Sequence, residues 1–107
     1  MIEVTYYRQY NRVTVKGHAG SGPEGHDLVC AAVSALALTL AGNVAYMESQ
    51  EAVYSSIIKL DEGDAEIQCT PYRRYKASVE QVLRSICVGF ELLATKYPSN
   101  ISYEARG

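Results

Sequence analysis

Two apolar stripes of helical period do most to limit what this chain can fold into. In the first, Val29, Val33, Leu36, Leu40, Val44 and Met47 recur at steps of three and four. In the second, Val79, Val82, Leu83, Ile86, Phe90, Leu93 and Tyr97 do the same, and Pro98 ends the run. A helix with one apolar stripe must bury it against a neighbour. The rest of the chain reads as strands. IEVTYYR and RVTVKGH, turned by RQYN, form one hairpin; AVYSSIIKL and AEIQCTPY, turned by DEGD, form a second. ISYEA makes a short last strand. The first helix is expected from about Asp27 to Glu48. The second is expected from near Ser78, with Ser78 and Gln81 as a capping box. The order ββαββαβ predicts an α+β fold: a single small domain over residues 1–107, with a mixed sheet and two helices packed on one face.

A chain of 107 residues can hold a modest core but little cleft depth, so a wall borrowed from a second subunit, and hence a homodimer, is expected. The net charge is -2 and no long basic run occurs, so no direct nucleic-acid binding is expected. MIEVTYYRQY has neither the basic start nor the apolar run of a signal peptide. The apolar segment from Leu28 to Met47 is interrupted by Ser34, Thr39, Gly42 and Asn43, and reads as a buried helix, with no membrane role. The three cysteines lack paired spacing, which predicts free thiols and a cytoplasmic location.

The chemistry concentrates in GHAGSGPEGHDLVCAAVSAL, Gly17 to Leu36. One reading is a dinucleotide loop, since Gly20, Gly22 and Gly25 match G-x-G-x-x-G. A hairpin follows the helix, however, where a nucleotide-binding unit needs a parallel strand, and the Lys-Ser/Thr pair of a phosphate loop is missing. A second reading is a metal site. His26 and Cys30 would share a helix face, with His18 and Asp27 as further donors, but the paired short spacings of zinc sites are absent. No metal or cofactor is therefore expected.

The third reading is a cysteine nucleophile. With Asp27 as N-cap, Cys30 is the third helical residue, close to free amides and the positive end of the helix dipole. That setting favours thiolate. His18, folded back by the glycine loop, is placed to take the thiol proton and return it to a leaving amine. The plain alternatives are a small buried cysteine at 30, a solvated His26, and a Ser34 that bonds back to its helix. Cys69 and Cys87 read as core residues. PYRRYK, Pro71 to Lys76, is a small basic-aromatic patch suited to RNA or an acidic partner, and its plain reading is a solvated loop.

Gly17-His18-Ala19-Gly20, followed by Gly25-His26-Asp27-Leu28-Val29-Cys30-Ala31-Ala32-Val33-Ser34-Ala35-Leu36, resembles the signature of the ribosomal-processing cysteine protease (Prp) family. The resemblance extends to length and element order. It implies Cys30 as nucleophile and His18 as general base and acid, with supporting roles for Asp27 and Ser34. Gly17, Gly20, Gly22 and Gly25 would belong to the substrate loop. It also implies a homodimer whose substrate is the N-terminal extension of the bacterial large-subunit ribosomal protein bL27. The loop departs from the family pattern at SGPE, where Pro23 fixes one backbone angle.

Overall fold

Alternation of buried and exposed residues builds the sheet. In the computed structural model, which describes residues 1–17 and 26–107 (backbone alone at 26 and 27), five strands form one sheet. They are β1 (Ile2–Tyr7), β2 (Arg12–Lys16), β3 (Val53–Asp61), β4 (Asp64–Pro71) and β5 (Ile101–Arg106). Their spatial order is β3-β4-β2-β1-β5. All pairings are antiparallel except β1 with β5. The register aligns Val4 with Val15 and Val15 with Ala65, and likewise Tyr6 with Val13 and Val13 with Ile67. These buried residues share one face. Thr5, Thr14 and Glu66 form a row on the other. A slip of one residue would exchange the two faces, so burial itself holds the register.

Helices α1 (His26–Ser49) and α2 (Lys76–Lys96) cover the apolar face. The α1 stripe buries Val29, Val33, Ala37, Leu40, Ala41 and Val44, while Leu36 and Met47 are partly buried. The α2 stripe buries Val79, Leu83, Cys87 and Phe90. The helices approach closely at Gly89, where an added Cβ would lie 2.9 Å from the Leu36 side chain. The rest of α1 is apolar too. Residues Leu28–Ser49 have mean hydropathy 2.0, enough by length and composition to cross a membrane, yet the stripe lies in the core and Leu28, Leu38 and Tyr46 stay 60%, 61% and 63% exposed.

The ββαββαβ order and the helix-covered sheet match the sequence reading, but the helix starts differ. A 3-10 turn at Arg73–Tyr75 already winds the chain before α2 begins at Lys76, so Ser78 lies inside the helix. Tyr75 is the N-cap, with no side-chain cap bond, and Gln81 donates instead to the Ser85 hydroxyl at 3.0 Å. The expected capping box is therefore not formed.

Phe90 is fully buried where α2 meets the core, whereas Leu92 is 62% exposed. Phe90→Ala should lower unfolding stability by about 3–5 kcal/mol, and Leu92→Ala by less than about 0.5 kcal/mol. Urea denaturation of both variants checks this ordering.

Candidate active site

The end of β2 and the start of α1 are brought together by backbone geometry. Gly17 follows β2 with φ +90, and a Cβ there would lie 2.5 Å from the Met1 carbonyl oxygen. Both facts require glycine at this position. Its amide donates to the Gly63 carbonyl at 2.9 Å, tying β2 to the β3–β4 turn. The same turn is held by Asp64, whose carboxylate accepts from Lys16 and, at 2.6 Å, from Lys59. These two ammonium groups hold the Asp64 carboxyl down at about 2.

Between this turn and α1 lies a cavity of about 420 Å³. Val15, Val33 and Ala37 line it with apolar surface; Cys30 and Ser34 enter it from α1, and Gly17 adjoins it. The end of β3 and the turn after it contribute Leu60, Asp61 and Glu62 as a further wall. Cys30 and Ser34 are four residues apart and so share a helix face. The structure thus brings together Gly17, Cys30 and Ser34 of the residues singled out from sequence. His18, Gly20, Gly22 and Gly25 lie outside the described residues, as do the side chains of His26 and Asp27. The helix already includes His26, so Asp27 lies in the first turn and Cys30 is the fifth helical residue, not the third. Only the first four amides of a helix lack an internal acceptor, so Cys30 follows the free amides instead of contributing one of them. Among the described residues, no three His, Cys, Asp or Glu come together as a metal site.

In the sequence the acidic wall of the cavity shows only as a turn. Its position depends on β4 pairing with β2, a contact between residues some fifty apart in the chain. The DEGD charges were the one available signal.

The three thiols differ sharply. All are free, with Cys69 and Cys87 buried and Cys30 half-buried at the cavity. Burial, with a smaller contribution from Glu48, pushes the Cys69 thiol up to about 11. Burial pushes Cys87 up to about 12, against the pull of a hydrogen bond with Tyr103. Both therefore stay protonated and enclosed at pH 8. Iodoacetamide at pH 8 should modify Cys30 at least tenfold faster than either. Peptide mass mapping of native protein reads the order, and equal rates at the three positions would contradict it.

Known proteins share this fold. The sequence matches the family model described as cysteine protease Prp over residues 1–102. The fold is similar to SMU.848 from Streptococcus mutans, at 29% identity and a TM-score of 0.73, covering 99% of this chain and 94% of that one. It is also similar to the essential ribosomal processing protease Prp from S. aureus in complex with a covalently linked product peptide. There the identity is 23% and the TM-score 0.68, covering 98% of this chain and 97% of that one. A third structure holds the S. aureus protease with a substrate peptide, at 21% identity, a TM-score of 0.68 and the same coverage. Among curated protein sequences, none matches this chain. The family match over nearly the whole length shows that this chain belongs to the Prp family of cysteine proteases.

Proposed function

We propose that the protein is a cytoplasmic cysteine endopeptidase that removes the N-terminal extension of ribosomal protein bL27 through a Cys30–His18 dyad. The observation that carries this reading is Cys30 itself: the half-buried thiol of a cysteine protease family member, opening on a cavity with room for side chains of an extended peptide. His18 follows Gly17 in sequence, and Gly17 itself lines that cavity.

In the proposed reaction His18 takes the proton from the Cys30 Sγ. The thiolate attacks the scissile carbonyl carbon, and the unpaired amides at the start of α1 offer donors for the oxyanion. The C–N bond breaks as His18 gives its proton to the leaving amine, and a thioester remains on Cys30. Water, deprotonated by His18, then attacks the thioester, and Cys30 leaves as the thiol form once the proton returns. The covalently linked product peptide in the S. aureus structure supports a covalent step. No metal or cofactor takes part in this scheme. Asp27 and Ser34 have supporting roles, and Gly17, Gly20, Gly22 and Gly25 form the substrate loop.

The cavity suggests what is recognised. Its apolar floor suits an apolar residue near the cut, and the Asp61 and Glu62 rim suits a segment carrying basic residues. Mass spectrometry of bL27 with its extension intact should show one cut by the native protein. His18→Ala and Cys30→Ser should each lower the rate by at least a thousandfold. Substrate that binds but stays whole with native protein would favour a non-catalytic, ribosome-associated peptide-binding module.

The reading includes a homodimer. Leu28, Leu38 and Tyr46 leave one side of α1 apolar and uncovered in the single chain, an arrangement that a second copy would bury. Light scattering after size exclusion should give twice the mass of 11.8 kDa. Leu38→Glu should shift it to the single mass.

A further inference from the structure

The net charge of -2 hides a local gathering of basic residues in the fold. Cys30, the Gly17 bend and the acidic β3–β4 turn occupy one end of the sheet. The strand directions carry most of the arginines to the other. There β1 ends at Tyr7 with Arg8 next, β2 begins at Arg12, β5 ends at Arg106, and β4 runs out into Tyr72, Arg73, Arg74 and Tyr75 before α2 opens with Lys76. Six of the ten Lys and Arg residues, Arg8, Arg12, Arg73, Arg74, Lys76 and Arg106, thus gather at the end away from Cys30.

Their pairing separates structural cations from available ones. Arg12 pairs with Glu66, Arg106 with Glu104 and Lys76 with Glu80. Arg8, Arg73 and Arg74 are exposed and make no ion pair among the described residues. Exposed rings sit between these charges. Tyr10 is 58% exposed and Tyr54 is 57% exposed. Tyr54 and Tyr72 lie with centroids 5.1 Å apart at 59°, and the Arg74 guanidinium sits 5.4 Å from the Tyr75 ring centre. The rings need no exposure to serve the core, which is on the sheet's helix side.

We propose that this end of the molecule is a docking surface for single-stranded RNA. Guanidinium groups meet the phosphates, and the tyrosine rings offer faces on which unpaired bases stack. Carboxylates of an acidic protein would match the cations equally well, but only bases stack on the ring faces. Arg73 and Arg74 lie about 20 Å or more from the β3–β4 turn at the cavity, a distance set by the length of β4 at about 3.3 Å per residue. RNA binding here is therefore separable from peptide cleavage, and does not rest on the protease reading.

The test is fluorescence anisotropy with a fluorescein-labelled 12-nucleotide single-stranded RNA of mixed sequence. A duplex of the same length and a glutamate 12-mer serve as competitors. Affinity should fall about 20- to 130-fold between 50 and 200 mM salt, as expected for three to five phosphates contacted. The double variant Arg73→Glu, Arg74→Glu should weaken binding at least tenfold, and Tyr72→Ala at least fivefold. Arg73→Lys with Arg74→Lys should retain most of the affinity, showing that charge and not folding was altered. Unchanged circular dichroism and urea midpoints in all variants complete that control. No binding at 50 mM salt, or binding that ignores these substitutions, would overturn the proposal. Competition by the glutamate peptide equal to that by RNA would also overturn it, and would assign the surface to an acidic protein.

Discussion

The antiparallel pairing of Arg12–Lys16 with Asp64–Gln68 is the contact on which the rest of the structure depends. Without it the chain has two separate hairpins, each with one apolar face and too little area to bury it. With it, Val13 and Val15 fall into line with Ile67 and Ala65, and one continuous apolar surface receives both helices. The same pairing ends beside Gly17 and Gly63, whose hydrogen bond draws the β3–β4 turn over the start of α1. The cavity that holds Cys30 is thus a consequence of how the two hairpins join.

That origin explains what was legible in the amino-acid sequence. The elements themselves are local, and alternation in IEVTYYR or the stripe through Val79, Leu83 and Phe90 reveals them directly. Cys69 and Cys87 were legible as core residues for the same reason. The capping box at Ser78 failed because the preceding 3-10 turn had already satisfied the role of a helix start, which a spacing rule does not register. The wall formed by Leu60, Asp61 and Glu62 was not legible as part of the site. Its place in the Cys30 cavity follows from strand order, a long-range property that no short window of residues contains.

Charge shows the same limit from another side. A formal total of -2 is correct for the chain, yet it conceals where the fold leaves cations unpaired, at Arg8, Arg73 and Arg74 among the described residues. Strand direction sorts the charges. Asp61, Glu62 and Asp64 are gathered in a single turn, whereas the turn from Arg8 to Arg12, the Arg73–Arg74 pair and Arg106 come from three separate parts of the chain and meet only in the folded molecule. Composition therefore bounds the sum of the field but not its shape, and it is the shape that a charged partner meets.

The parallel pairing of β1 with β5 has a kinetic meaning. Ile2 lies opposite Ile101, so one of the first residues of the described chain is held in place by one of the last. Ile2 also lines the cavity beside Cys30. Closing so large a loop carries an entropic cost that local hairpins and helices do not face, and contacts of this separation form late. During synthesis the two hairpins and α1 can assemble while β1 still has a bare edge. The cavity gains its complete lining only after β5 has emerged and docked. Completion of the cavity beside Cys30 is thereby coupled to a pairing between two distant parts of the described chain.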